Sequence, residues 1–408
     1  MAEPAPPTVR LAASRKPLTD ARGNRWAPAA DAFRGGRRVL VDGVGVKGTA
    51  FPRLYRSSRL GVRSVHVRLP RAGTYVVTLY LSETRGAKAG ERSFDVLAEG
   101  ASDPALTRVD AAARAGAWWA HQTAFRVAVV DGRLDLELRA RRGRPLLSAV
   151  EVRFMHDATD EPKLLWSDEF EGPAGTSPDP SRWEMQTGGS WGTRELQYHT
   201  DRPQNAALDG DGSLVIAARR EGFIGNERGR EIARRFTSTR MRTAGRFEFR
   251  YGRIETRILA PTGSGLWPAM WAIGSRRGGE AQWPRSGEID VMEHFGSFPK
   301  MVIGALHGPS GSDGHWLVNR PRHARKALLG RFHTYTADWF PGVVQFSLDG
   351  RPYAAVTQTD RPAGERWVFD DPFYLVLSLA VGGPVEPHPQ PETRFPAEMR
   401  VDWLRVTR

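Results

Sequence analysis

The sequence has no cysteine among its 408 residues. That excludes a disulfide framework and any thiolate metal site, and leaves the redox compartment unread. Nor does any apolar run approach the roughly 20 residues that span a bilayer as a helix, so no membrane partner is expected. The start, Met1 to Pro7, lacks the basic region and apolar core of a signal peptide. No segment of convincing helical period is present either, which leaves strands as the regular structure. Lysine is scarce early on: residues 1–157 hold 24 Arg and 3 Lys against 15 acidic residues, a net of +12, while residues 158–408 hold 32 basic against 31 acidic. The chain's excess of +13 is therefore almost all N-terminal. Its arginines are scattered through strand-like segments and are not interleaved with aromatics, which argues against nucleic acid as the partner. A solvated basic surface, or a preference for an acidic polysaccharide, fits better.

What is abundant lies in the second part. Ten of the thirteen tryptophans follow residue 158, and aromatic faces stack on the C–H faces of sugars. Large domains also bury tryptophans, so some of the ten belong to a core. A chain of this length exceeds one ordinary domain. The polar stretch Met155 to Pro162 is the expected boundary, giving an N-terminal domain over 1–157, with 1–9 disordered, and a second over 158–408. Strand-like segments recur in both, at 63–69, 74–81, 92–98, 123–130, 134–140 and 148–154, then at 213–218, 238–242, 245–259, 265–273, 288–293, 302–307, 334–339, 344–348, 374–381 and 399–406. Short strands parted by turns predict an all-β chain: a β-sandwich followed by a β-jelly roll with a concave face.

One stretch concentrates chemistry. Gly287-Glu288-Ile289-Asp290-Val291-Met292-Glu293-His294 places three carboxylates among apolar residues. On a strand, alternation sets Glu288 and Asp290 on one face and Glu293 on the other. A β-bulge near Val291-Met292 would turn Glu293 back to the face of its companions. Acids so crowded push at least one carboxyl towards its protonated form. Glycoside hydrolysis needs that asymmetry, because a protonated acid serves the leaving oxygen while a charged partner attacks the sugar, the two roughly 5 to 5.5 Å apart in retaining enzymes. The competing reading is an edge strand whose acids face solvent to discourage aggregation.

The flanking chain decides between them. Leu165-Trp166-Ser167-Asp168-Glu169-Phe170, Trp191-Gly192-Thr193-Arg194-Glu195-Leu196-Gln197-Tyr198, Tyr251 to Arg257, Gly265-Leu266-Trp267-Pro268-Ala269-Met270-Trp271, His307-Gly308-Pro309 and Val401-Asp402-Trp403 surround the acidic motif. On these pieces residues 163–408 resemble glycoside hydrolase family 16, on its laminarinase-like side. The resemblance implies a retaining endo-glycosidase on a β-1,3-glucan, with Glu288 as nucleophile, Asp290 as assisting carboxylate and Glu293 as general acid/base. It implies substrate-binding roles for Trp267, Trp271, His307, Trp191, Glu195, Arg253 and Trp283. His294 reads as a second partner of Glu293 or as a satisfied core histidine. No cofactor is implied for catalysis; a structural Ca2+ at Glu169 and Asp402 is, against the alternative of two ordinary surface acids. A polysaccharide substrate, a monomer and secretion complete the expectation, with the signal peptide itself not contained in the sequence.

Residues 10–155 resemble a malectin-like carbohydrate-binding domain, on Leu18-Thr19-Asp20, Phe33 to Gly36, Leu54-Tyr55-Arg56, Gly73 to Leu79 and Gly90 to Val96. By that resemblance Tyr55, Tyr80, Glu83 and Trp119 are sugar-binding candidates. The second domain departs from laminarinases at Thr193 and Ser378, where Asn is usual, and at Pro384-Val385-Glu386-Pro387, where an N-W-P-G run is usual. Cleavage chemistry is untouched by these changes, but a β-1,3-galactan stays open as substrate. A glucan-recognition protein without activity is the alternative of another class, and the presence of both Glu288 and Glu293 argues against it.

Overall fold

The computed structural model describes residues 7–20, 23–29, 31–41, 45–157, 162–189, 193–227, 229–276, 279–311, 314–358, 360–362 and 364–408. The chain divides into two compact units, Met1–Pro162 with Arg351–Gly364, and Lys163–Gly350 with Glu365–Arg408. Both are built from strands, with only short helical turns at Arg53–Arg56, Ala111–Ala115 and Gly279–Gln282 among the described residues.

In the first unit a six-stranded sheet runs, in spatial order, through 121–129, 73–81, 149–156, 8–12, 25–28 and 18–19. A five-stranded sheet runs through 106–109, 93–98, 133–142, 64–68 and 33–34. Period-two patterning explains the layers. On Arg133–Arg142 the residues Leu134, Leu136 and Leu138 are buried while Glu137 and Arg139 face water. These leucines meet Val65, Val67, Tyr75, Val77, Leu79, Val150 and Val152 in one core, which makes the unit the expected β-sandwich.

The second unit is a jelly-roll sandwich. Its seven-stranded sheet runs through 184–186, 240–242, 373–381, 266–274, 288–293, 301–310 and 314–323. The facing sheet runs through 197–199, 230–238, 214–227, 397–407, 252–259, 332–340 and 343–348, with 164–168 paired to 397–407 and 206–208 to 214–227. Ile254, Ile258, Val344 and Phe346 of this sheet are buried, as are Ile289, Val291, Met292 and Leu306 of the other. The Trp339 and Phe373 rings meet edge to face across the interior, 5.0 Å apart.

The bulge foreseen in the acidic strand is present. On one side Ala269 lies opposite Glu293, Met270 opposite Met292 and Trp271 opposite Asp290, which leaves Val291 as the extra residue. On the other, Asp290 lies opposite Ala305 and Glu293 opposite Ile303, so Val291 and Met292 together face Gly304. Val291 and Met292 are both buried although adjacent, and the residues after them change face. Gly304 lets the sheets close at this point, since a Cβ there would lie 2.5 Å from the Phe346 ring. Gly304→Ala is therefore expected to lower stability by about 1–3 kcal/mol, read as a shift in denaturant midpoint, and a second change, Phe346→Leu, should recover part of the loss. Additive losses in the double variant would contradict this account of the contact.

Candidate active site

Directly opposed residues of an antiparallel pair share a face. Glu288 lies opposite Ile273 and His307, Asp290 opposite Trp271 and Ala305, and Glu293 opposite Ala269 and Ile303. The register thus brings the three acids, His307, Trp271 and, two residues before Ala269, Trp267 onto one face of the seven-stranded sheet. The Trp267 indole N–H donates to Glu293 Oε1 at 3.0 Å, and its ring packs against Phe295. The Trp283 indole N–H donates to Glu288 Oε2 at 2.6 Å. His307 Nε2 lies 3.2 Å from Asp290 Oδ2 and 3.9 Å from Glu288 Oε1.

The three carboxyls are not equivalent. Burial, then the negative charge of Glu288, then a hydrogen bond shared with Glu288 hold Asp290 well above the usual carboxyl range. Burial also pushes Glu293 well up, with Asp290 and Glu288 adding to the rise and His307 and the Trp267 N–H opposing it. A protonated Asp290 can donate to Glu288, while Glu293 keeps a proton to give away. The titration belongs to the set. Donor atoms of Glu288, Asp290 and His307 converge within 4.8 Å of one another, a spacing that these hydrogen bonds and charge contacts account for.

Trp271 is held from two sides. Its N–H donates to Ser378 Oγ at 3.2 Å, and the Arg240 guanidinium lies 4.5 Å from its ring centroid. Arg240 is fixed by Gln186 at 2.8 Å and Glu280 at 2.8 Å, and Glu280 also takes Arg242 at 3.0 Å and the Tyr374 hydroxyl at 3.1 Å. Arg240 and Glu280 carry no signal of a site role in the sequence, and Ser378 is marked there only as a departure from the laminarinase pattern. The one available hint was Arg240-Met241-Arg242, two charges alternating with a buried residue on a strand.

Glu195 reaches the neighbourhood of Trp267: a Cβ on Gly383 would contact both side chains. Burial alone would raise the Glu195 carboxyl, but His199, Thr193 and Gln197 together hold it below its ordinary value. Thr193 and Gln197 each donate to it at 2.6 Å. Trp191 lies outside the described residues. His294 is wholly buried, bridging the Met301 carbonyl at 2.6 Å and the Tyr335 hydroxyl at 2.8 Å, and burial pulls it down to about 4, as for a satisfied core histidine.

Two expectations are corrected. Arg253 is on Gly252–Leu259 of the facing sheet, where Ile254 and Ile258 point into the core, so Arg253 points away from the acids and pairs with Asp338 at 3.3 Å. Its position after a glycine in a motif said nothing about face. Glu169 and Asp402 do not fit a calcium ion: both Glu169 oxygens accept from Arg405, at 2.9 and 2.7 Å, and Asp402 pairs with Arg257. Two guanidinium groups supply the positive charge that the ion would bring. In the first unit Tyr55 is buried with its hydroxyl taking a bond from Gln122, and Glu83 is buried and accepts from Arg92 at 2.7 Å. Tyr80 packs edge-on against Trp26. Trp119, at 38% exposure, is the one of the four that stands open.

Because Glu293 binds its proton more tightly folded than unfolded, its contribution to stability is full below the ordinary carboxyl range and is lost as pH rises through its folded value. Glu293→Gln stays neutral, so its melting temperature relative to the parent is expected to rise between pH 4 and pH 8. A difference independent of pH would contradict the assignment.

Residues 190–405 match glycosyl hydrolases family 16, and residues 30–164 match the malectin domain. A beta-glucanase of Rhodothermus marinus is 38% identical over 256 residues, 60% of this chain and 85% of that protein. Glucan endo-1,3-beta-glucosidase A1 of Niallia circulans is 33% identical over 264 residues, 60% of this chain and 37% of that longer protein. Among solved structures, an endo-beta-1,3-glucanase of Pyrococcus furiosus superposes with a TM-score of 0.53 at 38% identity, over 60% of this chain and 93% of that one. The laminarinase catalytic domain of Thermotoga maritima gives 0.54 at 36% identity, over 61% and 99%. The chain belongs to glycosyl hydrolases family 16 and carries a malectin domain ahead of its hydrolase domain.

Proposed function

We propose that this protein is a retaining endo-glycosidase that hydrolyses internal β-1,3 linkages of a β-glucan. The observation that carries the reading is the bulge, which lines up Glu288, Asp290 and Glu293 with two of the three carboxyls pushed towards their protonated forms. The substrate rests on the relatives named above and on the tryptophans beside the acids.

The chemistry follows from the positions. Glu288, oriented by the Trp283 N–H and by Asp290, attacks the anomeric carbon as a carboxylate. Glu293 gives its proton to the glycosidic oxygen as that bond breaks, leaving a glycosyl ester on Glu288. The same Glu293, now a carboxylate, takes a proton from water, which attacks the anomeric carbon, breaks its bond to the Glu288 oxygen and releases the sugar with its configuration retained. Its burial suits both duties, because the carboxylate formed in the first step is a stronger base than an exposed one. Two carboxyls and water suffice, so the reaction needs no cofactor.

Trp267, Trp271, Trp283, His307 and Glu195 line the approach to the acids, and Trp191 joins them as a proposed contact. The malectin domain would hold the polymer near the cleft and raise its local concentration, with Trp119 as a contact. Secretion suits an enzyme whose substrate is a polysaccharide too large to enter a cell.

Glu293→Gln is expected to lower turnover by about 10²–10⁴-fold, and Glu288→Gln by at least as much. NMR of the first products of laminarin should show the new reducing end as the β anomer. An initial α anomer would rule out retention, and near-normal turnover in either variant would rule out the catalytic roles of Glu288 and Glu293. Cleavage of β-1,3-galactan in preference to laminarin would move the substrate without moving the mechanism.

A further inference from the structure

Residues 33–63 carry eight basic side chains and a single acid, Asp42. The fold of the first unit draws part of that charge together. Arg37–Leu40 pairs antiparallel with Ser57–Leu60, with Arg37 opposite Leu60 and Arg38 opposite Arg59. Just outside this pairing, the turns at Gly35–Gly36 and Gly61 touch. A Cβ on Gly36 would lie 2.1 Å from the Leu60 carbonyl oxygen, and Gly36 and Gly61 both have positive φ, so only glycine allows the approach. Arginines converge on this contact from separate segments. The Arg59 Nε–H donates to the Gly35 carbonyl at 2.8 Å, and the Arg63 N–H donates to the Arg34 carbonyl at 2.8 Å. The Arg63 side chain lies over Gly35, and the Arg144 side chain lies against Gly61. The Arg144 segment is tied in as well, because the Pro145 carbonyl takes the Gly61 N–H at 2.7 Å.

Arg34, Arg37, Arg63 and Arg144 are exposed, and none of the four meets a carboxylate among the described residues. Elsewhere on the same unit arginines are neutralised: Arg92 by Glu83, Arg139 by Glu137 and Arg141 by Asp95. Like charges gathered round two turns repel one another, and a bound anion relieves that repulsion. We propose that Arg34, Arg37, Arg63 and Arg144 form a binding position for an acidic polysaccharide, gripping the carboxylate or sulfate groups of its sugars. The planar guanidinium fork matches either group with two parallel N–H···O bonds. The cluster is confined to adjoining turns, which suits a few charged groups of a flexible polymer better than the evenly spaced phosphates of a duplex. None of the four stacks on an aromatic ring among the described residues, so the position offers no platform for a nucleic-acid base. A neutral β-glucan gains little from four guanidinium groups. The occupant is therefore a second polymer, and the position would hold the protein on an acidic matrix whatever the hydrolase domain cleaves.

The test is binding of the full chain, by affinity electrophoresis at low and raised salt, to polygalacturonate and to dextran sulfate. Neutral dextran, duplex DNA and vesicles of phosphatidylserine with phosphatidylcholine serve as comparisons. The parent should bind at least one of the acidic polysaccharides more tightly than any comparison, with affinity falling as salt rises. The tighter of the two names the charged group. Arg63→Gln and Arg144→Gln should each weaken that binding by about 2- to 10-fold, and Arg63→Lys by less. Arg139→Gln, the same change at an arginine paired with Glu137, should leave it within about 2-fold. These side chains are exposed, and an unchanged melting temperature checks that each variant folds. Equal losses in Arg139→Gln and in the cluster variants would reduce the binding to diffuse charge and overturn the position. Failure to bind either acidic polysaccharide, or tighter binding of DNA or of the vesicles, overturns the proposal.

Discussion

One extra residue holds the arrangement together. Without Val291 as a bulge, Glu293 would turn into the core opposite Glu288, and the strand would carry two useful acids and one buried misfit. With it, Val291 and Met292 both enter the core against the space left by Gly304, and Glu293 returns to the face of Glu288 and Asp290. Two rigid sheets fix that geometry, because the strand is paired on both sides and its buried residues pack against the facing layer. The same burial that stabilises the sandwich raises Asp290 and Glu293, so packing and proton affinity have a common cause.

Around this strand the sequence uses charge to hold aromatics in place. Arg240 lies under Trp271, and Arg240 and Arg242 are in turn held by Glu184, Gln186 and Glu280. Glu386 is buried and gathers the Gly265 N–H with the Ser297 N–H and hydroxyl, tying the loop after Gly383 to the ends of the strands that bear Trp267 and Glu293. Each of these buried charges has several partners, as burial of a charge demands. Two positions marked as departures from the laminarinase pattern take part: Ser378 accepts the Trp271 N–H, and Glu386 makes the loop contacts.

How far the sequence was legible follows from what each residue's signal depends on. Strands buried on at least one face, such as Gly73–Leu81, Glu288–Glu293 and Phe373–Val381, announce themselves by alternation or by apolar runs. Edge strands do not. Gly314–His323 contains Pro321 and four exposed polar or charged side chains, tolerable where only one side is paired, and it was not foreseen. The hairpin Leu214–Glu227 with Arg230–Ser238 extends well past the expected 213–218 because charged residues alternate along it with little burial. The 245–251 part of the expected 245–259 strand is irregular, with Tyr251 at positive φ. The cluster of three acids was legible because its crowding is local. Arg253, Glu169 and Asp402 were misread because their roles depend on which face and which arginine they meet, and that is set by strands remote in sequence.

The central claim is that the fold itself keeps Glu293 protonated on the face it shares with Glu288. It is tested most directly by a 13C NMR titration of protein labelled at the glutamate carboxyl carbons, with the Glu293 signal assigned by its loss in Glu293→Gln. The account predicts that this carboxyl remains protonated well above the range in which the exposed glutamates titrate. Titration of Glu293 together with the exposed glutamates would contradict it.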